Sequence, residues 1–146
     1  MAFRHEVMLY DGPGAFADAA DPFIREGVAA GEPVMVAIAA EKIELLRSRL
    51  GGDAEQVVFA DMAELGANPA RIIPAWQDFV DANAGRPLRG IGEPIWADRS
   101  PTELVECQCH EALLNVAFAA ASDFHLICPY DTGRSGGSPR RRRRRR

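Results

Sequence analysis

Residues 33–38 read Pro33-Val34-Met35-Val36-Ala37-Ile38. Successive side chains of a strand point to opposite faces, so an unbroken apolar run cannot serve a sheet with one wet side. It reads instead as a strand buried on both faces, the habit of parallel sheets covered by helices. The reading extends outward in both directions. His5 to Tyr10, Val57 to Ala60, Leu88 to Gly92 and Phe124 to Cys128 form further short apolar runs. Leu88 to Gly92 departs furthest from the pattern, because it holds Arg89 and two glycines.

The segments between these runs carry helix punctuation. Glu41 to Leu50 is stopped by Gly51-Gly52, and Gly14 to Ala30 holds Pro22, which either kinks the helix or starts a shorter one capped by Asp21. Asn68-Pro69 opens a stretch in which Ile72, Ile73, Trp76, Phe79 and Val80 stand at helical spacing, ending near Gly85. Pro74 within it moves the expected start of regular helix toward Ile73. Ser100-Pro101-Thr102-Glu103 combines an N-cap, a first-turn proline and a capping-box glutamate. Strand and helix therefore alternate. The sequence predicts a three-layer α/β domain with a mainly parallel sheet of about five strands and flanking helices.

Length and composition agree with one such domain, at 146 residues and 47% hydrophobic. No apolar run reaches the roughly 18 residues of a membrane helix, and the first residues lack a secretory h-region, so the expected location is cytoplasmic. Charge is split along the chain. Seven of the 17 basic residues form the run Arg140 to Arg146, leaving 10 basic against 21 acidic residues elsewhere. The acidic body offers no electrostatic footprint for nucleic acid, and the basic tail offers only non-specific contact. Residues 1–133 are expected to fold, and the Gly/Ser/Pro/Arg-rich residues 134–146 to be disordered.

Ligands of open α/β sheets bind outside the carboxyl ends of the strands. Acidic residues stand at or soon after those ends: Asp11, Glu41, Asp61, Glu93 and Asp131. Helix capping accounts for several of them equally well. Glu93 differs, because Gly92-Glu93-Pro94-Ile95-Trp96 puts an acid and an indole on one loop well before Ser100. The first β-α turn, Asp11-Gly12-Pro13-Gly14-Ala15, lacks the Lys and Ser/Thr of a phosphate-binding loop. In the last predicted helix Cys107, His110 and Glu111 share a face that Asn115 extends, and Glu106 pairs with His110 at four residues. That stripe suits a pocket or an interface, or simply a mixed surface helix. Cys109 points nearly opposite Cys107, so the spacing is poor for a metal. His125 shares a face with Ile127 and reads as a core histidine, while Cys128 reads as a small buried hydrophobe. His5 opens its strand at the amino end, away from the expected ligand edge. No nucleophile–base set can be assembled, and the expectation is a protein without enzymatic activity or cofactor.

Taken in order, His5-Glu6-Val7-Met8-Leu9-Tyr10, Pro22-Phe23-Ile24 with Glu26-Gly27, Gly31-Glu32-Pro33-Val34, Phe59-Ala60-Asp61, Gly92-Glu93-Pro94-Ile95-Trp96, Glu106 to Asn115 and Cys128-Pro129-Tyr130-Asp131-Thr132 resemble the MEDS family. These are sensory domains of DcmR-type methanogen and methylotroph regulators. The likeness is greatest to the form ahead of anti-sigma-factor and histidine-kinase-like ATPases in actinobacteria. The resemblance implies a regulatory input domain for a small organic ligand, distantly RecA/KaiC-like, with a degenerate P-loop position. It implies ligand-binding roles for His5, Tyr10, Asp11, Glu93, Trp96, Glu106, Glu111, Asn115, Cys128, Tyr130 and Asp131. It also implies a kinase-like or sigma-regulator partner. Relatives continue beyond this point where the present chain turns to arginine, so a C-terminally truncated or misread sensor is expected. Docking of such a partner, and nucleotide binding, are the alternative functions.

Overall fold

The computed structural model describes residues 3–93 and 123–133. The predicted last helix, with Cys107, Cys109 and His110, and the arginine run lie outside the described residues. In chain order the elements are β1 (Arg4–Tyr10), α1 (Gly12–Ala29), β2 (Val34–Ile38), α2 (Ala40–Leu50), β3 (Val57–Asp61), α3 (Met62–Leu65), α4 (Ile72–Ala82), β4 (Leu88–Gly92) and β5 (Phe124–Asp131). The strands form one sheet in the order β1-β5-β4-β2-β3, and each of these pairings is parallel. β1 and β3 are its edges.

Alternation along the strands divides the core in two. Val34, Val36, Ile38 and Ile91 pack with Phe16 and Ile24 of α1 and Leu46 of α2. Met35, Ala37, Leu88, Leu126 and Cys128 pack on the opposite side with Ile72, Trp76 and Phe79 of α4. All five residues of β2 are consequently buried, which is why its sequence carries no polar face.

The glycines of β4 have a packing cause. A Cβ at Gly90 would stand 2.7 Å from Cζ3 of Trp76, and one at Gly92 would stand 3.0 Å from Cζ2. The indole therefore lies directly on the β4 backbone, while Arg89 points to the α1 side. A strand with little hydrophobic pattern of its own is fixed by the aromatic ring above it.

Three boundaries differ from expectation. Pro22 does not start a shorter helix, because α1 runs unbroken through it. Pro22 and Asp18 are both exposed, so water can satisfy the carbonyl that loses its helical donor. β5 runs to Asp131, beyond the expected strand end at Cys128 and through Pro129. Its pairing with β4 stops at Ile127, and Met8 of β1 pairs with Pro129, so β5 has one neighbour there and proline is tolerated. Finally, α4 starts at Ile72, one residue before the expected start, with Pro74 in the first turn, where a missing N–H costs nothing.

Candidate functional site

Three chain segments converge at the carboxyl edge of the sheet, on the side covered by α1 and α2. β1 ends in Tyr10, the residue after β4 is Glu93, and Lys42 lies in the first turn of α2 just beyond β2. The backbone N–H of Glu93 donates to the Ala37 carbonyl at 3.0 Å, which prolongs the β2–β4 ladder and fixes the glutamate. The Tyr10 hydroxyl donates to Glu93 Oε2, and Lys42 Nζ donates to Glu93 Oε1 and to the Tyr10 oxygen. The three side chains close a triangle. Lys42 Nζ also lies 4.9 Å from the centre of the Tyr10 ring and 5.4 Å from that of Phe16.

Burial makes this triangle electrostatically expensive to disturb. The Glu93 side chain is 1% exposed and that of Lys42 is 13% exposed. Desolvation pushes the Glu93 carboxyl above its ordinary range, although Lys42 and Tyr10 pull it down. Loss of water likewise raises the Tyr10 phenol, helped by its hydrogen bond to Glu93 and by the charge of Asp131. Tyr10 thus stays a neutral donor at physiological pH. Beside it opens a cavity of about 250 Å³ lined by Leu9, Tyr10, Asp11 and Thr132.

The other sequence-predicted residues fall in different places. Asp11 lies at the N-cap of α1 and makes no side-chain cap bond. Asp131 is near enough to influence Tyr10 and Glu93 by charge, and its Oδ1 accepts from the Gly133 N–H at 2.9 Å. Tyr130 and Cys128 belong to the opposite face, with α4. His5 also lies on that face, its Nε2 3.0 Å from Cys128 Sγ, an approach between adjacent strands that the sequence does not reveal. Trp96, Glu106, Glu111 and Asn115 lie outside the described residues. Asp61 caps α3 by accepting from the Ala63 N–H at 2.9 Å.

Sequence reasoning missed Lys42. The first β-α turn holds no lysine, whereas the second supplies Lys42. A signal was nevertheless present: Lys42 is the only lysine among the 17 basic residues of the chain.

A larger cavity, of about 370 Å³, lies at the opposite, amino edge between Arg4, Glu32, Arg89, Asp123, Phe124 and His125. Its cations are already engaged. Arg89 donates from Nε to Glu32 at 2.5 Å and from Nη1 to the Phe23 carbonyl at 3.1 Å, with Glu26 3.3 Å from Nη2. Glu6 accepts from Arg4 at 3.0 Å and lies 3.1 Å from His125. The Arg89 contacts tie β4 to α1 and the Glu6 contacts tie β1 to β5, which leaves the carboxyl edge as the stronger candidate site.

Among the described residues no group of three or more His, Cys, Asp or Glu could hold a metal ion. None of the described helices is long and apolar enough to cross a membrane. A family model described as the methanogen/methylotroph DcmR sensory domain matches residues 4–142. A search of curated proteins found no match.

Proposed function

Because this chain belongs to the MEDS family of sensory domains, we propose that it is an input module whose small organic ligand binds at the carboxyl edge of the sheet. The observation that carries this reading is the buried Tyr10–Lys42–Glu93 triangle, whose Tyr10 also lines an open cavity. A buried ion pair contributes little net stability compared with a well-packed apolar replacement. Its position at the edge where such sheets take ligands favours recognition over scaffolding. Asp11 and Asp131 form the polar rim in this reading, and the domain signals without turnover. In the same proposal the domain is cytoplasmic and reports to a histidine-kinase-like or sigma-regulating partner of actinobacterial type. A distant RecA/KaiC relationship with a degenerate P-loop has support only from the place of the Asp11-to-Ala15 turn.

Thermal unfolding of the full chain against small alcohols, aldehydes, halocarbons and ATP–magnesium tests the reading. A ligand at about 100 times its dissociation constant adds about 2.7 kcal/mol of stability. A rise with one small organic compound, lost in Glu93→Gln, is the expected result. A rise with ATP alone would move the site toward nucleotide binding.

Partner docking is favoured by a separate observation. Val7 and Leu9, on edge strand β1, are 62% and 70% exposed. Capture of a kinase-like partner without added ligand, lost on Leu9→Glu, would support that second reading.

A further inference from the structure

We propose that Lys42 is a covalent capture group: its amine forms a reversible imine with a small neutral aldehyde or ketone entering the carboxyl-edge site. This rests on the site proposed above and names the chemical class of its ligand.

The first argument is the choice of cation. Sixteen of the 17 basic residues are arginine, and the single lysine is the one that meets Tyr10 and Glu93. Arginine does not release its proton in proteins and holds carboxylates with a rigid fork, as Arg89 does with Glu32. A cation needed only to neutralise Glu93 would be served by the residue this chain uses everywhere else. Lysine differs in that it can become a neutral nucleophile. Its position in the first turn of α2 is also one where a positive charge is disfavoured by the helix dipole.

The second argument concerns what a ligand would do to Glu93. An anionic ligand would have to draw Lys42 away and leave a carboxylate buried at 1% exposure without its counter-charge. That is strongly unfavourable. A neutral carbonyl compound avoids the problem, because the protonated imine keeps the positive charge beside Glu93. The aromatic rings of Tyr10 and Phe16 flank the nitrogen and suit the small apolar remainder of such a ligand.

The proton inventory is complete within the triangle. Glu93 takes a proton from the Lys42 ammonium. The freed nitrogen pair forms the N–C bond, and the carbonyl π pair moves to oxygen. A proton passes from nitrogen to that oxygen through the Tyr10 hydroxyl, giving the carbinolamine. Glu93 then returns its proton, the C–O bond breaks, water leaves, and the nitrogen pair closes the C=N bond. The net exchange is one carbonyl compound in and one water out. No oxidant or reductant takes part.

The test uses the full chain with acetaldehyde and sodium cyanoborohydride, which reduces any imine to a stable secondary amine, followed by peptide mapping. With one lysine in the chain, the only other primary amine is the α-amino group, which serves as an internal reference. The expected result is a saturable adduct on Lys42 that forms faster than the α-amino adduct. It should be absent in Lys42→Arg and slowed about 100-fold in Glu93→Gln, with a flattened pH profile of the trapping rate. Modification of the α-amino group with Lys42 untouched would overturn the proposal, as would an unchanged trapping rate and pH profile in Glu93→Gln. Melting with acetaldehyde but no reductant separates the two readings. A rise in Tm that persists in Lys42→Arg would keep a ligand site and remove the covalent step.

Discussion

The two ends of the sheet carry polar clusters on the same face, separated by the apolar middle of β2, β4 and β5, and they are built on opposite principles. At the amino edge the central cation is Arg89, and its guanidinium is shared among Glu32, Glu26 and the Phe23 carbonyl. Its acids keep more water than Glu93: the side chains of Glu26 and Glu32 are 73% and 22% exposed. At the carboxyl edge the cation is lysine and its acid is wholly buried. The first arrangement fastens β4 to the end of α1. The second holds three proton-exchanging groups in one desolvated spot, which a fastening does not require. Arg89 and Glu93, four positions apart at the two ends of β4, thus serve different ends.

The largest expected effect comes from breaking the buried pair on one side only. Lys42→Met should destabilise the domain by about 3–5 kcal/mol at neutral pH, read by urea unfolding, because Glu93 loses its counter-charge and keeps only the Tyr10 hydroxyl. Adding Glu93→Gln should recover most of that loss. A loss below about 1 kcal/mol in the single variant would show that Glu93 is not buried as described.

Acid sharpens the comparison, because the two edges respond with opposite sign. The folded Glu93 carboxyl titrates above its ordinary value of 4.5, chiefly through burial. Its contribution is therefore full below that value and is lost as pH rises through the folded one. Glu6 titrates below 4.5, chiefly through its hydrogen bond with His125, so its contribution is lost as pH falls. Unfolding followed from pH 4 to 7 should show a flatter alkaline-going decline in Glu93→Gln than in the unaltered chain. Identical slopes would contradict the assignment.

The amino-edge fastening should be sensitive to shape. Arg89→Lys keeps the charge but loses the fork and should cost about 2 kcal/mol. Gly27 of α1 faces the Arg89 stem, and a Cβ there would stand 2.7 Å from Cδ. Gly27→Ala should therefore cost about 1 kcal/mol in the unaltered chain. In an Arg89→Ala background the cost should shrink, leaving the contact with the buried Val34 Cγ2 at 3.0 Å set against helix propensity. Chemical denaturation of the four proteins reads the coupling between the two positions. The smallest effect is expected at Glu6, whose ion pairs are exposed: Glu6→Gln should change stability by less than about 1 kcal/mol.

Much of the architecture was legible because it follows from burial. The unbroken apolar run at Val34–Ile38 implies two covered faces, and both are covered. Pro129 misled because a proline looks like a strand end unless the register of its neighbours is known. Arg89 and its flanking glycines made β4 look weak, since the ring that fills the glycine positions comes from α4, far away in sequence. For the candidate site, the strand-end rule and the family resemblance pointed to Tyr10 and Glu93. They did not point to Lys42, because its partners are 32 and 51 residues away and helical periodicity does not distinguish it from a surface lysine. Nor does the order of residues say which face a strand end presents, so Tyr130 and Cys128 were grouped with Glu93 although they face α4.

Amide NMR of the full chain, titrated with the compound that raises Tm most, would show which edge of the sheet receives ligand. The shifts are expected to concentrate at Tyr10, Asp11, Lys42, Glu93 and Asp131, and to vanish in Lys42→Arg if the ligand is held as an imine. Shifts concentrated instead at Arg4, Arg89, Asp123 and His125, around the larger amino-edge cavity, would contradict the carboxyl-edge site.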